Sequence, residues 1–262
     1  MKRVNFPFLL VIFISIIIPC KGYTIDITAG MTSWFAWGEQ KSSGANSNPV
    51  MQSSPAFLFG PTLAVKLSEK FSLTFVYLYG GKFYYEDKDE IAEKFKSKRS
   101  DADLALNYRI NDYFKIFGGI KYLSYDMMQV RYTPSGGSSV TYENDGKHTV
   151  WGGGLGLTAT FSVAENLFLL ATLSGFRSVN GQDKISQTDG GTFSFEHTFE
   201  DYCINSSLSM AYYITSASTA ISLGGRYQYF KTKYGDDNLF NGIAIKNTIY
   251  GVTLSATYSF NI

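Results

Sequence analysis

Hydrophobic and polar residues alternate along most of this chain with a period of two, the pattern of amphipathic β-strands. In SDADLALNYR, residues 100–109, one face carries Ala102, Leu104 and Leu106, while the other carries Asp101 and Asp103. The same alternation predicts ten strands, with boundaries good to about 2 to 4 residues. They span 23–37, 55–67, 71–86, 99–110, 114–130, 147–163, 167–179, 199–214, 219–232 and 245–262.

The connections between these strands alternate in length. Tight turns are predicted at 68–70, 111–113, 164–166 and 215–218, and longer polar links at 38–54, 87–98, 131–146, 180–198 and 233–244. Short turns at one end and long loops at the other are typical of outer-membrane barrels, with the turns in the periplasm and the loops outside the cell. The predicted fold class is therefore all-β, a ten-stranded antiparallel transmembrane β-barrel over residues 23–262.

Turn length also predicts register, because facing residues of an antiparallel pair point to the same side of a sheet. Three-residue turns at 68–70, 111–113 and 164–166 keep the apolar sets of their hairpins on one face. Around 111–113, Asp103 is expected opposite Lys121. Arg109 then faces Lys115, a like-charge contact that a two-residue shift or an acidic residue on a neighbouring strand would relieve.

A barrel in lipid turns apolar side chains outward and polar ones inward. Charges buried inside the lumen need partners. The polar faces therefore predict a lumen charge network with a structural role, formed by Asp101, Asp103, Arg109, Lys121 and Arg226.

Residues 1–22 differ from the rest of the chain. Lys2 and Arg3 form a basic start, residues 6–18 are almost continuously apolar, and small residues precede a cleavage site after Gly22. This is the pattern of a secretory signal peptide. The run is shorter than the ~20 residues of a spanning helix. Lipoprotein processing at Cys20 is the alternative, although Ile17-Ile18-Pro19 lacks the small residues such a signal places before its cysteine.

Composition fits an exported β-protein. Aromatic residues reach 16% of the chain, with 19 Tyr and 21 Phe, against 25 Gly and 6 Pro. Removal of residues 1–22 leaves 20 basic and 22 acidic residues, a formal charge of −2, which argues against a nucleic-acid partner. Cys203 is then the remaining cysteine, so no intramolecular disulfide forms. No cofactor motif is found, because the Gly-rich run after Trp151 continues as a strand rather than into a helix.

The last strand completes the pattern. Its even positions from Tyr250 to Ile262 are apolar, whereas Thr253, Ser255 and Thr257 are polar. Together with the signal peptide, this final strand resembles bacterial outer-membrane β-barrel proteins. The resemblance implies outer-membrane localisation, contact with outer-membrane lipid, and recognition of the C-terminal strand by the barrel assembly machinery. The chain departs from that class by ending in Ile262, with Phe260 two residues earlier on the same face.

The two histidines are the candidates for chemistry, and both are expected as solvated residues at the outer rim. Omptin-type proteases place paired Asp and Asp-His groups on their second and fourth outer loops. Asp87 and Asp89 in the second predicted loop and His197 in the fourth weakly resemble that arrangement. The position two residues before His197 is Phe195, which cannot orient a general base. His148 and His197 also lack the spacing of metal ligands.

A ten-stranded barrel is only slightly wider than the filled eight-stranded kind. The sequence therefore predicts a non-enzymatic structural or surface-interaction protein whose outer loops meet an extracellular ligand that the sequence does not identify. A narrow channel and an omptin-like rim hydrolase are the alternatives.

Overall fold

The computed structural model describes residues 25–43, 50–86, 93–135, 138–188, 192–234 and 244–261. The predicted signal peptide at 1–22, and Asp87 and Asp89, lie outside the described residues. No helix long and apolar enough to cross a membrane occurs within the described ranges.

The described chain is almost entirely β-structure. The strands are β1 (Asp26–Ser43), β2 (Val50–Ser53), β3 (Ala56–Lys66), β4 (Phe71–Glu86), β5 (Glu93–Arg109), β6 (Phe114–Ser135), β7 (Ser138–Ala164), β8 (Leu167–Thr188), β9 (Thr192–Ile214), β10 (Thr219–Tyr234) and β11 (Ala244–Asn261). β2 and β3 are separated by Ser54-Pro55, and both pair with β1 on one side and β4 on the other, so together they occupy one strand position. All other consecutive strands pair antiparallel, and β11 pairs with β1, which closes a ten-stranded barrel.

The predicted registers are confirmed. Asp103 pairs with Lys121 and Arg109 with Lys115 between β5 and β6. Leu63 faces Phe75 between β3 and β4. The β7–β8 hairpin keeps the predicted pairing from Gly152 to Ser162. Its register shifts by a bulge at each end of that stretch: next to the turn, where Ala164 pairs with Leu167, and beyond Gly152, where Trp151 pairs with Asn180. Turn length thus determined which face of each hairpin is apolar.

The long polar links are shorter than predicted, because the strands continue into them. β6 and β7 remain paired as far as Ser135 and Ser138, and β8 and β9 as far as Thr188 and Thr192. Both faces of such a ribbon lie beyond the hydrocarbon, so its sequence need not alternate, although the backbone still pairs. We call the end of the barrel with these extensions the ribbon end, and the opposite end, with the tight turns, the turn end.

The exterior of the barrel is an apolar band bordered by aromatic rings. Leu155 is 75% exposed and Leu254 is 50% exposed, which is the reverse of a soluble protein. On β9 the exposed rings of Tyr202 and Tyr212 bound the band ten residues apart. At about 3.4 Å per residue and a tilt near 40°, this separation spans about 25 Å of membrane. The value matches the apolar band of outer-membrane barrels.

A bulge in β4 reverses which positions face the lumen. Gly80 and Gly81 adopt φ angles of +117° and +44°, and the β4–β5 register shifts between Gly80 and Lys82. An L side chain rarely adopts such angles, so glycine is required here. Before the bulge the even-numbered Leu78 faces inward, and after it the odd-numbered Phe83 does; both are buried.

The lumen towards the ribbon end is filled, in part by hydrophobic side chains. Simple alternation predicts a polar interior, but two apolar clusters lie inside. One contains Trp34, Ala36, Ala56, Leu58, Leu78, Phe83 and Ile249. The other contains Leu123, Val150, Phe199, Cys203 and Phe230.

Candidate functional site: the charged lumen

The lumen holds a cluster of charged side chains, the lumen network, supplied by three strands. Asp101 and Asp103 project inward from β5, and Lys121 from the neighbouring β6. The Lys121 ammonium donates hydrogen bonds to both carboxylates, with Nζ 2.8 Å from Asp103 Oδ1. Arg226 of β10 places a guanidinium nitrogen 3.7 Å from Asp101 and 3.8 Å from Asp103. The structure therefore brings together four of the five charges expected in the lumen.

Arg99 and Gln228 complete the lumen network. Arg99 Nη2 donates to Asp101 Oδ2 at 3.0 Å and to Gln228 Oε1 at 2.5 Å. Gln228 Nε2 lies 3.5 Å from Asp101 Oδ2. Neither residue was predicted from the sequence, although the two-residue alternation places both on inward faces. Arg99 is two residues before Asp101 and Gln228 two after Arg226, so each shares an inward face.

Aromatic rings enclose the two guanidinium groups. Arg99 Nη1 donates to the Tyr125 hydroxyl at 3.0 Å, and Arg99 Cζ lies 5.0 Å from the Phe230 ring centroid. Arg226 Cζ lies 4.8 Å from the Trp34 ring. Cation–π attraction of this kind is strongest where water is excluded, and Trp34 and Arg99 have no exposed surface. Charged groups and rings together fill the lumen at this level.

Arg109 does not join the lumen network. It is the last residue of β5 at the turn end, and its side chain is 45% exposed. Asp112 in the turn forms its ion pair and hydrogen bond. The like-charge contact with Lys115 is therefore relieved by a turn residue, not by a register shift or a neighbouring strand. A strand-end side chain reaches the turn more readily than the centre of the lumen.

His148 lies inside the barrel, so its predicted position as a solvated rim residue is wrong. It occupies an even, inward-facing position of β7, and its ring stacks on Phe199 at 4.1 Å between centroids. Nε2 lies 3.3 Å from Asp201 Oδ2, while Thr232 Oγ1 donates to Asp201 Oδ1 at 2.5 Å. Continuation of the strands beyond the membrane extends the lumen and encloses this ring. The Asp201 backbone N–H also donates to Ser178 Oγ at 2.7 Å.

The candidates for omptin-like chemistry are not brought together by described contacts. The backbone of His197 lies in β9 opposite Asp183. Its side chain, like Asp87 and Asp89, is outside what the structure describes. Within the described residues there is no group of three or more His, Cys, Asp or Glu side chains that could hold a metal ion.

The lumen towards the turn end differs, because small hydroxyl side chains line it. Thr28 bonds to Ser259 at 2.9 Å and Thr32 to Ser255 at 3.0 Å, side chain to side chain. These residues are half-buried, unlike the fully buried lumen network. The interior therefore has a partly exposed, hydroxyl-lined half and a closed half.

Comparison with known proteins identifies the fold of this chain but assigns it to no family. No protein-family model and no curated protein sequence matches this chain. The outer membrane protease OmpT from Escherichia coli is similar in structure, with a TM-score of 0.61 over 90% of this chain and 97% of that chain, at 11% identity. At this identity the likeness shows the fold alone.

Two further outer-membrane structures match at lower TM-scores. The translocator domain of the autotransporter NalP from Neisseria meningitidis has a TM-score of 0.46 and 9% identity, covering 97% of this chain and 95% of its own. The P. putida toluene transporter TodX has a TM-score of 0.38 and 10% identity, covering 94% and 92%. Closed barrels with an apolar exterior band and aromatic borders are structures of outer membranes. This chain is an outer-membrane β-barrel protein.

Proposed function

We propose that this outer-membrane protein is a non-enzymatic structural or surface-interaction protein that acts through the ribbons beyond its apolar band. The observation that carries the proposal is the burial of the lumen network. Arg99 and Gln228 have no exposed surface, and Asp101 is 2% exposed, inside a barrel of only ten strands. A filled lumen leaves the outside of the barrel and the ribbons as the surfaces available to partners.

The ribbons support an external role by their length. β6 and β7 pair from Tyr122 and Trp151, at the aromatic border, to Ser135 and Ser138 at the tip. At about 3.4 Å per residue this extends roughly 40 Å along the strands. A paired ribbon presents side chains in a fixed order, which suits recognition of an extracellular partner better than a flexible loop does.

Planar-bilayer conductance tests the closed lumen directly. We expect the purified barrel to insert without steady conductance. An epitope inserted after Ser135 should be labelled by antibody on intact cells, whereas the same epitope after Asn111, in a tight turn, should be labelled only after the outer membrane is permeabilised. Steady conductance of the unaltered protein, or the opposite labelling pattern, would contradict the proposal.

A narrow channel is the second candidate, supported by the hydroxyl-lined half of the lumen. In that case only the lumen network and the apolar clusters would need to move for a path to open. Voltage ramps in the same bilayers distinguish this function, because a gated channel conducts in discrete steps and a permanently filled barrel stays silent.

The rim hydrolase is less well supported. The hydrogen-bonded pair of His148 and Asp201 is of a kind used in general-base catalysis. However, both side chains are buried and the imidazole is covered by Phe199. Cleavage of a quenched fluorescent peptide or phospholipid, lost on His197→Ala and kept on His148→Ala, would instead favour a rim site.

A further inference from the structure

Three lysines form a row on the outer surface of the barrel near the ribbon end. Lys41 of β1 pairs directly with Lys246 of β11, and Lys246 pairs directly with Lys231 of β10. We call these three residues the lysine row. All three side chains project outward, since they share the parity of the exposed rings on their strands. Like charges directly opposite one another in a sheet are destabilising.

Among the described side chains, one carboxylate relieves part of this repulsion. Lys41 forms an ion pair with Glu39 at 2.6 Å. Among the described residues, Lys231 and Lys246 form no ion pair. In the part of the chain that the structure describes, no carboxylate neutralises these two adjacent ammonium groups, and an anion from the surroundings would do so.

The excess of positive charge continues around the barrel. Lys82 pairs with Lys98 on the same outward face, and the Lys98 ammonium lies 4.5 Å from the centre of the Tyr79 ring. Among the side chains that the structure describes on this face beyond the aromatic border, the acids are Glu39 and Glu200. The basic ones are Lys41, Lys82, Lys96, Lys98, Lys147, Arg177, Lys231, Lys233 and Lys246.

The height of the lysine row places it in the lipid headgroup layer. Each lysine lies four residues beyond an outward-facing ring of its own strand: Trp37, Tyr227 or Tyr250. Lys231 also pairs directly with Tyr202 of β9, the ring that bounds the apolar band, so the row lies at the level where the band ends. Lysine side chains are long enough to bring their ammonium groups back towards the headgroups.

We infer that the lysine row binds phosphate groups on lipid headgroups of the leaflet at the ribbon end. A phosphate bridging neighbouring strands offsets the repulsion within the row, and the aromatic border below holds the same lipid's acyl region. This surface is separate from the ribbon tips, so the inference does not depend on the proposed function.

Native mass spectrometry of the intact barrel tests the inference. The protein is released from dodecyl maltoside micelles, which carry no phosphate, that contain a diphosphorylated glycolipid or the same glycolipid without its phosphates. We expect retention of the phosphorylated form only, and weaker retention as salt rises. Lys231→Gln combined with Lys246→Gln should weaken it roughly thirtyfold, since each lysine at a membrane surface contributes about fivefold. Arginine at both positions should restore it.

A matched control removes two charges from the turn end, through Lys70→Gln and Lys115→Gln, and should leave retention unchanged. The melting temperature is an independent measurement, and the effect of the glutamine variant on it should differ with and without the phosphorylated glycolipid. In dodecyl maltoside alone the Lys231 and Lys246 glutamine variant should melt no lower than the parent, because repulsion is removed. With the phosphorylated glycolipid it should melt below the parent. Equal retention of both glycolipids, or equal loss in the turn-end control, would overturn the inference.

Discussion

Asp101 is the residue whose charge the lumen depends on most, and Asp101→Asn tests this with little change in shape. Its carboxylate contacts Arg99 at 3.0 Å, Arg226 at 3.7 Å and the Lys121 ammonium. The amide leaves Asp103 as the remaining described ion-pair partner of Lys121 and Arg226, and it leaves the buried Arg99 without a described one. At an effective dielectric constant near 20, each lost contact is worth about 4 to 6 kcal/mol of attraction before desolvation is counted.

The measured loss of stability should be smaller than the sum of these attractions, because burying the Asp101 charge costs desolvation energy that the neutral amide largely avoids. Removing one member of a buried ion pair costs about 3 to 5 kcal/mol. We therefore expect the free energy of unfolding of Asp101→Asn to fall by about that amount, or roughly a hundredfold to several thousandfold in the folding equilibrium.

The assay is urea unfolding in phospholipid vesicles, followed by tryptophan fluorescence and by the shift in gel mobility on heating. Asp112→Asn is the matched control, because it removes a carboxylate from the ion pair with Arg109, which is exposed. Such pairs contribute about 0 to 1 kcal/mol. If Asp101→Asn were no more destabilising than Asp112→Asn, the lumen network would not hold the barrel together, and the reasoning would be refuted.

Three further predictions concern packing inside the barrel. Gly81→Ala should lower the free energy of unfolding by about 1 to 3 kcal/mol in the same urea assay, because its φ is +44° and a Cβ would lie 2.9 Å from Leu58 Cγ. In the control Gly175→Ala the new Cβ meets nothing within 4 Å, so its free energy of unfolding should be almost unchanged. The Cys203 thiol, 3% exposed, should resist a maleimide reagent in the folded barrel and react quickly in urea; fast labelling of the folded form would disprove its burial. His148→Phe keeps a ring stacked on Phe199 but removes one hydrogen-bond partner of the buried Asp201 carboxylate, so the free energy of unfolding should fall by about 1 to 3 kcal/mol. An unchanged urea midpoint would show that this hydrogen bond does not stabilise the barrel.

Much of the barrel follows from local pattern. Two-residue alternation and turn length predicted the strand order and the pairing of Asp103 with Lys121, because the pleat determines which side chains share a face. The same reasoning located four members of the lumen network. Arg99 could also have been predicted as a lumen residue, because it lies two positions before Asp101 and therefore on the same face of β5.

Other features depend on contacts between residues far apart in sequence. The Gly80-Gly81 bulge reverses parity within one strand, so Phe83 faces inward against the alternation that precedes it. Each apolar cluster combines side chains from neighbouring strands, β11, β1, β3 and β4 in one case and β6, β7, β9 and β10 in the other. The contacts of Arg99 on β5 with Gln228 and Phe230 on β10 cross the lumen, which the narrow barrel allows. His148 is buried because paired strands continue past the membrane, where hydrophobic alternation is no longer required.

The most direct test of a lipid-facing exterior is a nitroxide scan of β11 in a Cys203→Ser background reconstituted into vesicles. Spin labels are placed singly at Thr253, Leu254, Ser255 and Ala256, and their collision rates with oxygen and with a water-soluble nickel complex are compared. The structure predicts high oxygen collision at 254 and 256 and low values at 253 and 255. Labels at 254 and 256 that were shielded from lipid, or that collided mainly with nickel, would contradict the barrel described above.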